Sequence, residues 1–323
     1  MWNLSLTACS FHLRKANSKG IENIYSLNRE FEIRDKNNVL IKEYSDIIDV
    51  MKSFAEKYSS YIDDEEDKRM FSCDFLTEDY GETESYRYLL GIVHSGTYGV
   101  PSIITDSQTK KIVYRKSNKQ ADIKDFYIMI IIPKDNKIVT VEKGLLFFQN
   151  IGQYGIKTVT TKYIREYLKN YFDMSFYCGN ISPDIFVNKL FENNQINQLL
   201  LTKNYTSYDV ADKIYRGYGQ EIRMLSKLRL DTKLSDKIRN FAKGKCNFFE
   251  FENIEYDKLR IKVDIGGRER TINLHNIENL SVIEGLPNDI QFIDGSLNKE
   301  KLLYNFNRIA NEYMETMVFQ ITK

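Results

Sequence analysis

Apolar and polar residues alternate through Trp2-Asn-Leu-Ser-Leu-Thr-Ala-Cys-Ser-Phe-His-Leu-Arg14. That period of two predicts a half-buried strand at the start of the chain. The period then lengthens. Between Tyr44 and Tyr61, Ile47, Ile48, Met51, Phe54, Ala55 and Tyr58 recur three and four apart, which predicts an amphipathic helix with one apolar stripe. The acidic run Asp63-Asp-Glu-Glu-Asp67 follows and predicts a solvated loop, because five like charges repel one another. From Arg69 to Gly152 the pattern predicts strands at Met70 to Phe75, Tyr86 to His94, Ile112 to Arg115, Phe126 to Ile132 and Leu145 to Gln149. Short connections favour antiparallel pairing there, with a turn at Asp135-Asn-Lys137.

Beyond residue 155, helix and strand alternate. A helix is predicted from Thr160 to Phe172, capped by Thr160 or Thr161 and burying Tyr163, Ile164, Tyr167, Leu168 and Tyr171. The strand Phe176-Tyr-Cys-Gly comes next, then a helix starting at Ser182-Pro-Asp and a strand from Gln198 to Thr202. Glu221 to Leu230 reads as a strand whose odd positions Glu221, Arg223, Lys227 and Arg229 form a charged face, with Ile222, Met224, Leu228 and Leu230 on even positions. Leu225 and Ser226 break the strict alternation. Leu234 to Ala242 is a short helix. Lys258 to Leu274 is a hairpin turning at Gly266-Gly267, and a long helix runs from Asn298 to about Val318. The fold class expected is α+β, with mostly antiparallel sheets and flanking helices in two or three subdomains: an α+β domain at 1–122, an α/β domain at 123–230, and a hairpin with a terminal helix at 231–323.

Composition narrows the functional classes. The chain has 323 residues, of which 46 are Lys or Arg and 45 Asp or Glu, so no whole-molecule field draws it to a polyanion. Any such attraction is local. Cys9, Cys73, Cys178 and Cys246 form no CxxC pair, which argues against a zinc site and leaves disulfides unneeded in a chain of this size. The longest strongly apolar run, Tyr127 to Pro133, is far short of the ~20 residues of a membrane helix. With no secretion signal read at the N-terminus, a cytoplasmic protein without membrane contact is expected.

Three patterns carry possible chemistry. Arg270-Thr-Ile-Asn-Leu-His275 has the Arg-x4-His spacing of HEPN ribonucleases, but on a strand it sends the two side chains to opposite faces. Asp135-x-Lys137 is a fragment of the restriction-type nuclease signature placed in a turn. Ser95-Gly-Thr-Tyr-Gly-Val and Gly152-Gln-Tyr-Gly-Ile-Lys-Thr are glycine-rich, and Lys157 in the second is a candidate phosphate ligand. Neither has nucleotide-loop spacing. With His12, His94 and His275 the only histidines, no catalytic centre, metal or cofactor is expected.

The positive signal is charge distribution. Between Lys203 and Lys245 there are eleven Lys or Arg against five Asp or Glu, interleaved with Tyr205, Tyr208, Tyr215, Tyr218 and Phe241. Cations that hold phosphates beside rings that stack on bases suit single-stranded nucleic acid. The candidate binding residues are Lys213, Tyr215, Arg216, Tyr218, Arg223, Lys227, Arg229, Lys237, Arg239, Lys243 and Lys245, together with Lys157. A smaller excess comes from Lys110, Lys111, Arg115, Lys116, Lys119 and Lys124.

At Tyr98-Gly-Val, Asp125 to Pro133, Gly144 to Thr158 and Tyr208-Asp-Val-Ala-Asp212 the chain looks like uncharacterised proteins of bacterial mobile elements and anti-phage defence islands. The resemblance covers about a third of the chain. It implies a setting of conflict with phages or plasmids and carries over no catalytic residues. The function expected is a nucleic-acid-binding or sensing component of such a system, engaged with a partner protein or a second copy. A Mg²⁺-dependent nuclease assembled only by the fold, or a protein-interaction scaffold, is the alternative.

Overall fold

The computed structural model describes residues 3–15, 24–75, 79–134, 140–180, 196–205, 219–226, 232–242, 246–265, 268–274, 282–291 and 297–321. These form a sheet-dominated α+β architecture with mostly antiparallel pairing. The chain divides into two compact units, Ser10–Cys178 and Met1–Cys9 with Gly179–Lys323.

The first unit begins in β1 (Leu4–Lys15), whose burial alternates at both ends but is continuous from Leu6 to Cys9. β2 (Ile24–Tyr25), β3 (Phe31–Arg34) and β4 (Leu40–Tyr44) lead into α1 (Ile47–Lys57). Asp46 fixes that start: its Oδ1 accepts the amides of Ile48 at 2.7 Å and Asp49 at 3.2 Å, meeting donors a helix leaves unpaired. Its other oxygen takes Arg87 Nη1 at 2.6 Å. β5 (Ile62–Asp64), β6 (Arg69–Asp74), β7 (Tyr80–Glu82), β8 (Tyr86–Thr97), β9 (Ser102–Thr105), β10 (Ile112–Lys116), β11 (Lys124–Pro133), β12 (Gly144–Ile151) and β13 (Tyr154–Gly155) follow. α2 (Lys157–Phe172) and β14 (Met174–Asn180) close the series. In the main sheet of this unit the order runs β1-β12-β11-β8-β6-β5. β11 and β12 are buried over most of their length on both faces, which explains their unbroken apolar runs. Phe54, Tyr58, Phe71, Tyr163 and Tyr167 form an aromatic cluster joining α1, α2 and β6, with Phe71 and Tyr163 centroids 4.6 Å apart.

The second unit contains β15 (Ile196–Tyr205), β16 (Gly219–Ser226), α3 (Thr232–Ala242), β17 (Phe249–Phe251), β18 (Ile254–Tyr256), β19 (Lys258–Ile265), β20 (Arg268–Asn273), β21 (Val282–Gly285) and α4 (Lys299–Ile321). Its sheet is ordered β16-β15-β19-β20-β21, and the first residues of β1 pair with β21, Leu6 opposite Glu284. Leu199, Leu201, Leu259, Ile261 and Val263 from the strands bury Ile238 and Phe241 of α3. Arg268 pairs with Ile265 across a two-residue connection, as the alternating hairpin predicts. The predicted turns at Asp135-Asn-Lys137 and Gly266-Gly267, the helix at Ser182 and residue His275 lie outside the described residues.

Three expectations are corrected. Asp64, in the acidic run expected to be a solvated loop, is a strand residue only 6 % exposed. It is buried because Lys162 Nζ meets its carboxylate and the Asp67 amide donates to it at 3.3 Å, so one charge of the five is neutralised and hydrogen-bonded. α2 begins at Lys157 rather than at a threonine cap, and Ile156 caps it without a side-chain bond. Thr160 and Thr161 are inside the helix and buried. Tyr171, expected on the buried side, is 40 % exposed. Among the described residues no helix is long and apolar enough to cross a membrane, and all four cysteines are free thiols.

Lys162 is the first cause that holds the Asp64 carboxyl below the ordinary value of 3.8. The stabilisation is complete above that value and is lost as pH falls through the lowered folded one. Asp64→Asn is expected to lower unfolding free energy at neutral pH by roughly 1.5–3 kcal/mol. Urea unfolding followed by fluorescence across the acid range should show the difference from wild type closing below the ordinary carboxylate value.

Candidate nucleic-acid interface

Lys213, Tyr215, Arg216, Tyr218, Lys227, Arg229, Lys243 and Lys245 lie outside the described residues. Arg223 sits on β16, where the expected faces are reversed. Ile222 and Met224 are 52 % and 58 % exposed, whereas Arg223 and Leu225 face the half-buried side. Arg223 is held there from two directions: Nη2 lies 2.7 Å from Glu252 Oε2, and its guanidinium is 5.4 Å from the Phe251 ring centroid. The contacts of Arg223 with Glu252 and Phe251 decide which face turns inward, and the predicted free basic stripe does not include this residue. Lys237 Nζ stands 3.9 Å from Glu250, and Arg239 Nη1 3.9 Å from Asp236 one helical turn away. Phe241 is buried against Phe249, centroids 5.8 Å apart, so it offers no stacking face to a base. The described candidate cations of this unit therefore each have a carboxylate within 4 Å.

Lys157 belongs to the other unit, where it is the first residue of α2 and half-buried. The glycines before it make a tight hairpin: Ile151 pairs with Tyr154, and Gly152 has φ +59°. A histidine–carboxylate hydrogen bond joins neighbouring strands, His94 Nδ1 lying 2.6 Å from Asp125 Oδ1. Among the described residues no cluster of three or more His, Cys, Asp or Glu side chains is arranged to hold a metal ion.

A group of neighbouring cations without carboxylate partners among the described residues lies on a two-stranded ribbon inserted between β8 and β11. β9 and β10 form their own antiparallel sheet, with Tyr114 opposite Ile104, Arg115 opposite Ile103 and Lys116 opposite Ser102. Cross-strand partners share a face, so Ile103 and Arg115 occupy one side and Ile104, Tyr114 and Lys116 the other. From Ser102 to Lys116 every residue except Asp106 and Lys116 is exposed; neither face is packed against the unit. The tip is shaped by Asp106, whose carboxylate accepts the amides of Gln108 and Thr109, and by Lys110 at φ +59°. Those bonds, Thr109 first, lower the Asp106 carboxyl below its ordinary range. Lys124 of the same basic set is paired with Asp122, whereas Lys110, Lys111, Arg115, Lys116 and Lys119 have no carboxylate within 4 Å among the described residues.

The ribbon's base is tied to the sheet. Gly99 donates to the Asn118 carbonyl at 2.7 Å, Asp122 to Thr97 at 3.2 Å, and Tyr98 to Lys68 at 3.0 Å. The glycine-rich segment Ser95-Gly-Thr-Tyr-Gly-Val thus has a backbone role. A Cβ on Gly96 would come within 1.9 Å of the Asp122 carbonyl oxygen, and Gly99 has φ +99°. The sequence pattern marks β10 and its cations but not β9, where Ser-Ile-Ile-Thr does not alternate; the turn-forming Asp106 is the signal that a partner strand precedes it. Compared with known proteins, the chain matches no family model, no curated protein and no solved structure.

Gly96→Ala is expected to force the return strand away from β8, costing about 1–3 kcal/mol as an overpacked site. Urea unfolding measures the loss, and earlier proteolysis between residues 98 and 123 than in wild type locates it.

Proposed function

We propose that this chain is a nucleic-acid-binding component of a bacterial anti-phage or mobile-element system, and that it holds its target through the β9–β10 ribbon. The observation that carries the reading is the set of five cations on the ribbon without carboxylate partners. A cation already paired contributes little to phosphate binding, because its partner must first be displaced. Free cations release condensed counterions when they meet phosphates, a gain that depends on their number and not on the net charge of the chain. Tyr114, 45 % exposed between Arg115 and the exposed Val113, adds a ring beside them. The setting is supported by the segments that look like mobile-element and defence-island proteins, since Tyr98-Gly-Val and Asp125 to Pro133 flank the ribbon.

Replacing Lys110, Lys111, Arg115 and Lys116 together by Ala removes charge from three exposed positions and one half-buried one without touching the core. Gel-shift affinity at low salt should fall at least about tenfold, and the salt slope should become shallower by about 0.9 for each duplex phosphate no longer neutralised. Unchanged affinity and slope overturn the reading.

A specific observation favours a second reading, a protein-interaction subunit. Ile103, Ile104, Ile112 and Val113 are all more than half exposed on the same ribbon, and exposed apolar groups gathered this way mark partner surfaces. If that reading holds, Ile103→Ser with Val113→Ser lowers the mass measured by light scattering, or abolishes co-purification of a defined partner.

A further inference from the structure

We infer that the ribbon enters the major groove of double-stranded DNA. The inference rests on the ribbon being the nucleic-acid interface and adds the class of target. Its first support is shape. The major groove of B-form DNA, ~12 Å wide and ~8.5 Å deep, admits an α-helix or a two-stranded β-ribbon. β9 and β10 form a sheet of two strands only, and both faces are exposed. A ribbon ~4.8 Å between strand axes, with side chains on both faces, fills such a groove without rearrangement.

Its second support is the placement of charge around the ribbon. Arg115 and Lys116 fall on opposite faces by register, and Lys110 and Lys111 lie at the tip. Lys119 lies at the base beside Asn118, which closes the ribbon against Gly99. A ribbon lying in the groove turns one face to the base edges and has a phosphate wall along each margin, so cations spread over both faces and the tip can reach either wall. A flat anionic surface needs them on one face alone. The only carboxylate on the ribbon, Asp106, is turned inward to cap its own tip.

Its third support is the apolar pair on each face, Ile103 with Ile112 and Ile104 with Tyr114. Base edges in the major groove present the thymine methyl, which apolar side chains contact. A-form RNA has a major groove too deep and narrow for side chains to read. A ribbon of this kind therefore discriminates between duplexes by groove geometry, before any base is read.

The test uses the full-length protein and four probes of one sequence: a DNA duplex of roughly 20 base pairs, about two turns, the matching RNA duplex, the single DNA strand, and a DNA duplex whose cytosines carry a bulky C5 substituent filling the major groove. Fluorescence anisotropy should show the plain DNA duplex bound at least about tenfold more tightly than the other three at matched salt. A minor-groove ligand should not compete. The Lys110→Ala, Lys111→Ala double variant should lose affinity for the plain duplex. Equal binding to all four probes, with the ribbon variant weakened on each, overturns the groove inference and leaves the ribbon as a general nucleic-acid interface. Affinities that the ribbon variant leaves unchanged on every probe overturn both. Absence of binding to any probe, with a mass shift in the Ile103→Ser, Val113→Ser variant, overturns both in favour of a protein partner.

Discussion

The ladder between β8 and β11 is the constraint on which the first unit depends. It runs unbroken from Ser95 opposite Lys124 to Tyr86 opposite Pro133. β8 also pairs with β6, and β11 with β12. Each register is set by what the side chains need. Val93, Phe126, Ile128, Ile130 and Leu146 are all buried, and a slip of one residue in any of these strands would turn its side chains to the opposite face and break their packing. The same ladder fixes where the chain leaves the sheet at Tyr98 and where it returns at Asp122. The ribbon's position is thus inherited from the core.

That arrangement separates two kinds of residue. In the ladder, apolar groups are removed from water, and a side chain takes over where backbone pairing stops: Gln149 Oε1 accepts the Tyr127 amide at 2.8 Å where the pairing of β11 with β12 ends. On the ribbon, apolar groups stay in water and cations stay unpaired. Burying its four β-branched residues with Tyr114 is worth several kcal/mol at ~25 cal/mol per Å², and the isolated protein forgoes it. A two-stranded hairpin is marginal alone. This one is held by bonds at its base and by the Asp106 cap at its tip.

Much of the sheet was legible because period-two alternation and unbroken apolar runs report how many faces of a strand are buried. That signal vanishes where no face is buried. In Ser102–Thr105 both faces meet water, so Ile103 and Ile104 stand side by side and no alternation marks the strand. The signal also misleads where an aromatic and a carboxylate offer a cation a better place than solvent. Arg223 turns toward Phe251 and Glu252, leaving Ile222 and Met224 outward. Asp64 was unreadable for a related reason: its partner Lys162 is 98 residues away in sequence, and no local rule pairs them. Counting cations along a segment likewise records how many exist and not which are already neutralised. Both basic segments contain ion pairs, Lys124 with Asp122 in the shorter one, but only the shorter one keeps five neighbouring cations without a carboxylate partner among the described residues.

The close approach of Gly96 to Asp122 has a further consequence for how such a chain diversifies. Both ends of the excursion are clamped within a few residues, so the span between them closes a loop already paid for by the sheet. Lengthening that span costs only a logarithmic increment of entropy. Its length can change residue by residue at little cost to the body that carries it.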